Sequence, residues 1–308
     1  MTRAELLDLF TPIYDKFSML KFNEPQNAHL VAFDEIEDPT KDFITNTMSG
    51  LGAWETAEED SDTGLDHFII GYEKTNTQQK YRKYFYCSFE FNEQMEYAAL
   101  KKKIVNAQAL GSGGKTAVLK ETAKILYQGF SVATNIPDGQ YLFDTDHDKN
   151  PEETGVHYDN LLTGPFSHDN LELAESQIAN NHFDMDGDPI TLAEKPLLLY
   201  APALAGVVGR VLNDRADKRP GTEHNDINLY SGKYTPVESV YLSAKMGGSD
   251  TAWYIVFPSL KMLQLVYAQK PQFASWIDNL KHRYYFDGWE HFVVAVSDWR
   301  CAFASTGL

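Results

Sequence analysis

The run KYRKYFYCSFEF, Lys80–Phe91, decides how this chain is read. Phe85, Cys87, Phe89 and Phe91 fall on one side of an extended backbone, and Arg82, Tyr84, Tyr86, Ser88 and Glu90 fall on the other. That is the period-two pattern of a strand with one buried face. Its near end is basic, with Lys80, Arg82 and Lys83 following Lys74 upstream. Phe68–Lys74 is a second strand candidate, and the polar Thr75–Gln79 between the two predicts a β-hairpin.

Upstream of the hairpin, Asn23–Asp66 holds twelve acidic residues against the single Lys41, a local net charge of -11. Its apolar residues (Leu30, Val31, Phe33, Phe43, Ile44, Leu51, Trp54) follow neither a helical nor a strand period, so the segment reads as an extended arm. A thin arm finds little apolar surface on its own domain to offset the entropy of ordering it. It therefore implies a partner surface, with Trp54 among the anchors. Before the arm, Leu6, Leu9, Ile13 and Phe17 predict a short amphipathic helix interrupted around Pro12.

Downstream, Asn92 caps a predicted helix with Tyr97, Leu100, Ile104 and Ala107 on one face. Gly111, Gly113 and Gly114 are expected to interrupt it before a second helix from Thr116 with Leu119, Ala123 and Leu126 inward. Ile136–Leu162 is loop-rich. Ser167 caps a third helix with Leu171, Ala174 and Ile178 inward, and PLLLYA (Pro196–Ala201) is a short apolar strand. Further strands are predicted at Val237–Ser243, Trp253–Phe257, Leu260–Tyr267 and Phe292–Val296. Helices and strands mix without regular βαβ alternation, which gives an α+β class.

The 308 residues are 43% hydrophobic and 13% aromatic, enough for a real core in one large domain or two moderate ones. A formal charge of -17 argues against sequence-reading of nucleic acid, which needs a basic face. Cys87 and Cys301 are far apart in apolar settings, so buried reduced thiols are expected rather than a disulfide or a zinc site. The N-terminus lacks a signal core and no stretch approaches the length of a membrane span, so synthesis and use in cytoplasm are expected.

Candidate chemistry is weak throughout. Ala109–Thr116, ALGSGGKT, satisfies a loosened phosphate-loop pattern, but a charged helix carrying Lys101–Lys103 precedes it where a buried strand is required. A flexible helix interruption is the better reading. Asp144, Asp146, Asp148, Asn150 and Glu152 resemble half of a calcium loop, yet Lys149 and Gly155 stand where a glycine and a bidentate glutamate belong. Asp184, Asp186 and Asp188 around Gly187 read as a tight turn ahead of a strand. His147, His157 and His168 lack paired-ligand spacing, and there is no nucleophile elbow. No catalytic residue, cofactor or metal ligand is assigned, and no enzyme activity is expected.

The order arm, hairpin, long helix, mixed domain and terminal strands resembles the major capsid proteins of tailed double-stranded DNA phages, the Hong Kong phage fold. KYRKYFYCSFEF, ILYQGF, GQYLFDTDHDKN, GVHYDNLL, LELAESQIANNHFDMDGDPITL, PLLLYAPAL and SDWRCAFASTGL carry the resemblance, which is nearest in look to Mu-like major head subunits. It implies an α+β fold with an N-terminal arm over 1–54, an extended hairpin loop over 55–83 and a peripheral domain with a long spine helix over 84–164. An axial domain follows over 165–280, and terminal strands over 281–308 return to the peripheral domain. It further implies a virion shell subunit, assembled in host cytoplasm as pentamers and hexamers around double-stranded DNA that it contacts only non-specifically. A surface this acidic fits proximity to packed DNA without adhesion. A separate scaffold protein and a portal are implied partners, and a decoration protein is an optional one. Trp54, Lys74, Lys80, Arg82 and Lys83 are the expected inter-subunit contacts, the basic hairpin of one copy lying over the acidic arm of another. A tail tube or sheath subunit is the alternative structural role, and a nucleotide- or metal-dependent enzyme the alternative of another class.

Overall fold

The computed structural model describes residues 3–24, 29–49, 68–89, 97–132, 136–192, 194–213 and 228–308. Two sheets and a long helix organise the described chain. The first sheet has the order β1-β11-β12-β4, built from β1 (Asp34–Glu37), β4 (Gln79–Ser88), β11 (Leu263–Asp278) and β12 (Arg283–Val296). The second has the order β7-β13-β10-β8-β9, from β7 (Leu161–Leu162), β8 (Leu197–Tyr200), β9 (Thr235–Glu238), β10 (Trp253–Val256) and β13 (Ala302–Ser305). Two small ribbons pair β2 (Asp42–Met48) with β3 (Ile70–Thr77) and β5 (His147–Asp148) with β6 (His157–Tyr158). Among the described residues the α-helices are α1 (Arg3–Phe22), α2 (Tyr97–Gln128), α3 (His168–Asn181) and α4 (Ala205–Asn213).

The five-stranded sheet explains its own sequence. LLLY of β8, WYIV of β10 and AFAS of β13 are buried at every position because both faces of the sheet are covered. On one face Leu198, Trp253, Ile255 and Phe303 meet Leu171 and Ala174 of α3 and Val208 and Leu212 of α4. On the other, Leu199, Tyr254 and Val256 meet Ala123 and Leu126 of α2 together with Leu263 and Val296. The second half of α2 is thus shared by both sheets. His29 pins this junction, with Nδ1 2.8 Å from the Ser239 hydroxyl and Nε2 2.8 Å from that of Thr122 on α2. Thr122 spends its own proton on Val118 O, which leaves Nε2 of His29 as the donor.

The four-stranded sheet keeps one face on the helices. Phe85 and Cys87 of β4, Phe89 just beyond it, and Tyr284 and Phe286 of β12 pack with Tyr14 of α1, whose ring stacks on Phe286 at 3.9 Å. The alternation expected over Lys80–Phe91 therefore holds through Phe89, with Tyr84 and Tyr86 exposed opposite. Phe91, the Asn92 cap and Trp54 lie outside the described residues.

Several expectations are corrected. β3 and β4 are both strands but do not pair: only Gln78 separates them, too little for a hairpin turn, and β3 pairs with β2 while β4 pairs with β12. Part of the acidic arm is accordingly β-structure, since β1 adds in parallel to β11 and β2 completes the ribbon. α1 runs unbroken across Pro12, and α2 runs unbroken through Gly111, Gly113 and Gly114. The glycines serve the α1–α2 contact instead. A Cβ on Gly111 would lie 2.0 Å from Ser18 O, and the Ser18 hydroxyl donates to Ala107 O at 2.9 Å. β11 and β12 extend far beyond the predicted Leu260–Tyr267 and Phe292–Val296, with irregular register around Lys270 and Pro271. The chain end does not all return to one sheet. β12 lies in the four-stranded sheet, whereas β13 is zipped between β7 and β10 in the other, where its small alternating side chains fit a doubly covered sheet.

Candidate assembly surface

The β2–β3 ribbon hydrogen-bonds to neither sheet edge, and one of its faces packs on the body, with Thr45 and Asn76 buried and Gly71 close to Met185. It is anchored where Tyr72 donates to Asp148 at 3.2 Å, where Gln78 donates to Asp38 O at 3.0 Å, and where Ala268 N–H donates to Gln78 at 2.8 Å. Beyond these anchors Ile44 and Ile70 are 52% and 69% exposed, as is Phe68 at its foot at 53%. An isolated two-stranded ribbon is marginal in water.

A second exposed feature lies at the far end of the four-stranded sheet. Tyr86, Tyr285 and Trp276 are cross-strand neighbours on β4, β12 and β11, with Tyr285 stacked on Trp276 at 5.1 Å and Tyr86 at 5.8 Å from Tyr285. The Arg283 guanidinium covers Tyr86 at 4.0 Å, and Leu280 in the adjoining turn is 95% exposed. This aromatic row is the outward complement of the Phe85/Cys87 face. The alternation of β4 announced Tyr84 and Tyr86, but Trp276 and Tyr285 were missed because neither strand was read that far.

The basic residues expected at the hairpin base are distributed over two sheets. Lys74 sits on β3 opposite Thr45, and partial burial lowers the affinity of its amine for a proton. Lys80, Arg82 and Lys83 sit on β4. Lys80 lies 6.0 Å over the Trp289 ring, and Arg82 is engaged by the buried Asp287 through contacts of 2.7 and 2.5 Å. Part of the arm's charge is met within the chain as well: Glu35 and Glu37 of β1 hold Lys270 of β11 at 3.2 and 2.6 Å, which raises that amine.

The sequence-level decoys have structural roles. ALGSGGKT lies inside α2, where Thr116 bonds back to Ser112 O and the helix uses its own amides. Asp184 accepts from the N–H groups of Asp186, Gly187 and Asp188, the expected tight turn, with Gly187 at φ 99°. Asn150 donates to Met185 O, tying the other acidic loop to that turn. His147 is buried, bonded to Asp138 at 2.8 Å and stacked on Trp299 at 4.8 Å. Both thiols are buried, and burial pushes that of Cys301 up. Among the described residues no group of three or more His, Cys, Asp or Glu side chains could hold a metal ion. Asp298, Trp299 and Arg300 form a clamp: the guanidinium meets both Asp298 oxygens at 3.1 and 2.9 Å and donates to Phe183 O and Lys149 O at 2.6 Å each.

No family model and no curated protein matches the chain. Solved structures do. The capsid of cyanophage P-SCSP1u aligns over 89% of this chain and 86% of that one with a TM-score of 0.57 at 12% identity. The capsid of Ralstonia phage GP4 aligns over 91% and 87% with a TM-score of 0.56 at 11% identity. The procapsid of bacteriophage JBD30 aligns over 99% and 76% with a TM-score of 0.53 at 15% identity. With two sheets sharing one long helix, a separate two-stranded ribbon and these alignments along most of its length, the chain has the Hong Kong phage capsid fold.

Proposed function

We propose that this chain is the self-assembling subunit of a tailed-phage head, acting by tiling and not by catalysis. The observation that carries the reading is the β2–β3 ribbon with its exposed Ile44 and Ile70, on a fold shared along 89% to 99% of the chain with phage capsid and procapsid structures. The four-stranded sheet with α2 serves as the peripheral domain, and the five-stranded sheet with α3 and α4 as the axial domain. Copies of the chain are the principal partners, as pentamers and hexamers. A scaffold protein, a portal and an optional decoration protein complete the particle, which is assembled in host cytoplasm.

Lys74, Lys80 and Lys83 remain the residues proposed to meet a neighbour's acidic arm, with Trp54 as an apolar anchor. Arg82 is different, because reversing its charge would also strand the buried Asp287. K80E/K83E with Arg82 retained is therefore the informative variant. Each exposed pair contributes only ~0.2 to 1 kcal/mol, a bias multiplied over the copies in a shell. The variant is expected to fold normally and to assemble poorly at low salt, recovering in part as added salt screens the new repulsion between the hairpin and the acidic arm. Shells of unchanged yield and salt tolerance would remove the proposed contact.

A further inference from the structure

On the face of the four-stranded sheet turned away from α1 and α2, Tyr84 and Tyr86 of β4 flank Tyr285 of β12, which stacks in turn on Trp276 of β11. Tyr84 and Tyr86 are 59% and 50% exposed. Cations frame the row. Arg283 lies over the Tyr86 ring at 4.0 Å, Lys281 occupies the adjoining turn, and Lys80 and Arg82 lie toward the other end of β4. Lys83 points to the opposite face, where it lines a cavity with Phe22 and Gly113. The acidic groups of the row's own face are already engaged, Asp287 by Arg82 and Asp278 by the Leu280 and Lys281 amides. Lys80, Arg82, Lys281 and Arg283 against Asp278 and Asp287 leave a net charge of +2 on a chain whose formal charge is -17.

Residues 50–67, outside the described residues, join Ser49 just past β2 to Phe68 ahead of β3. They hold Trp54 and six acidic residues, Glu55, Glu58, Glu59, Asp60, Asp62 and Asp66, with no lysine or arginine. Chain length decides which copy's aromatic row they can meet. Ser49 lines one pocket with Ser297, just past the end of β12. Tyr285 lies eleven residues before Val296, about 36 Å along the strand at ~3.3 Å per residue. Trp54 is five residues from Ser49 and extends at most about 18 Å from it. It falls short of the row on its own chain.

We propose that this aromatic row receives residues 54–62 of a second copy, the Trp54 ring packing on Tyr84 and Tyr86 and the carboxylates after it meeting Arg283 and Lys281. The contact rests on the assembly reading and locates the surface within it that takes Trp54. Stacking on Tyr86 holds the Arg283 guanidinium in place and leaves N–H donors on its edge for a carboxylate. Single-stranded nucleic acid also combines flat rings with negative charge, but it needs a continuous basic track beneath its phosphates. With Arg82 matched by Asp287, the cations left here stand at the two ends of β4, about 26 Å apart at ~3.3 Å per residue. That spacing suits a short acidic segment with an aromatic anchor and leaves a phosphate backbone unmatched.

The test is fluorescence anisotropy of a labelled synthetic peptide of residues 51–66, titrated at low salt with the unassembled full chain. Saturable binding is expected, weakened at least tenfold by Trp54→Ala in the peptide and at least tenfold by R283E in the chain. Equal binding of the W54A peptide, undiminished binding by R283E, or no saturation at hundreds of micromolar chain would each overturn the proposal. An oligothymidylate that displaces the peptide at lower concentration than unlabelled peptide would overturn it in favour of nucleic acid. The W54A peptide needs no variant of the chain and decides the question even if R283E folds poorly. A chain that closes into shells yet leaves the peptide unbound keeps the assembly reading and loses this contact.

Discussion

Gly111 and Gly113 stand two residues apart in the same helix, yet alanine should act oppositely at the two. In an exposed helix interior, glycine to alanine gains about 1 kcal/mol. At Gly113 a Cβ meets nothing within 4 Å, so G113A should stabilise by about that amount. At Gly111 the new Cβ would sit 2.0 Å from Ser18 O, where ordinary contact begins near 3.4 Å. Helix α1 would have to withdraw by about 1.4 Å, losing the 2.9 Å Ser18–Ala107 hydrogen bond. Overpacking costs about 1 to 3 kcal/mol and the lost bond about 1, against a propensity gain of about 1. G111A should therefore lose about 1 to 3 kcal/mol, a gap of about 2 to 4 between the variants. Urea unfolding of the unassembled subunit, with unchanged slope, reads this directly. G111A as stable as G113A would refute the close approach of α1 to α2 and, with it, the reason α2 keeps glycines mid-helix.

Glu290 and His29 should impose opposite pH slopes. Burial raises Glu290 from 4.5 to about 7, so the folded state holds the proton more tightly than the unfolded one, and stability falls as pH rises from about 4.5 to 7. E290Q should remove that loss and gain on the order of 1 to 3 kcal/mol above neutrality. Burial lowers His29 from 6.5 to about 4, so the folded state resists protonation and stability falls as pH drops through that window. The two slopes partly cancel in the native chain, so each should appear as the difference between native and single-variant unfolding curves, with H29Q for the second. Coincident native and E290Q curves from pH 4.5 to 7 would count against a carboxylate whose burial outweighs the attraction of Lys115. R300M leaves Asp298 buried and unpaired and should cost about 3 to 5 kcal/mol, partly recovered in D298N/R300M. Equal stability of the single and double variants would show that the clamp is not a coupled pair.

The parts of the fold legible in sequence were those where one physical signal dominates. The alternation of Lys80–Phe91 located β4 and its buried face. The apolar run Leu197–Tyr200 marked a strand covered on both sides, and Ser167, which accepts from Asn170 N–H, marked the start of α3. What stayed hidden depends on tertiary context. Asp42–Met48 is a strand because β3 lies beside it, not because DFITNTM alternates cleanly. Gly111 reads as a helix breaker until the Ser18 carbonyl is seen against it. The strand predicted over Leu260–Tyr267 stops short of Lys270 and Pro271, where the register shifts within one long strand that continues to Asp278. In the assembly surface, Tyr84 and Tyr86 followed from alternation, but the row they form with Tyr285 and Trp276 required the register of three strands. Glu290 could not be singled out among 44 acidic residues until its burial was known.

The central claim is that copies of this chain close into a shell, and electron microscopy of the purified chain, alone and co-expressed with its scaffold, tests it most directly. The account predicts closed particles of uniform diameter whose surface lattice shows five- and six-fold clusters. Tubes, stacked rings or a persistently monomeric, well-folded chain under both conditions would contradict it.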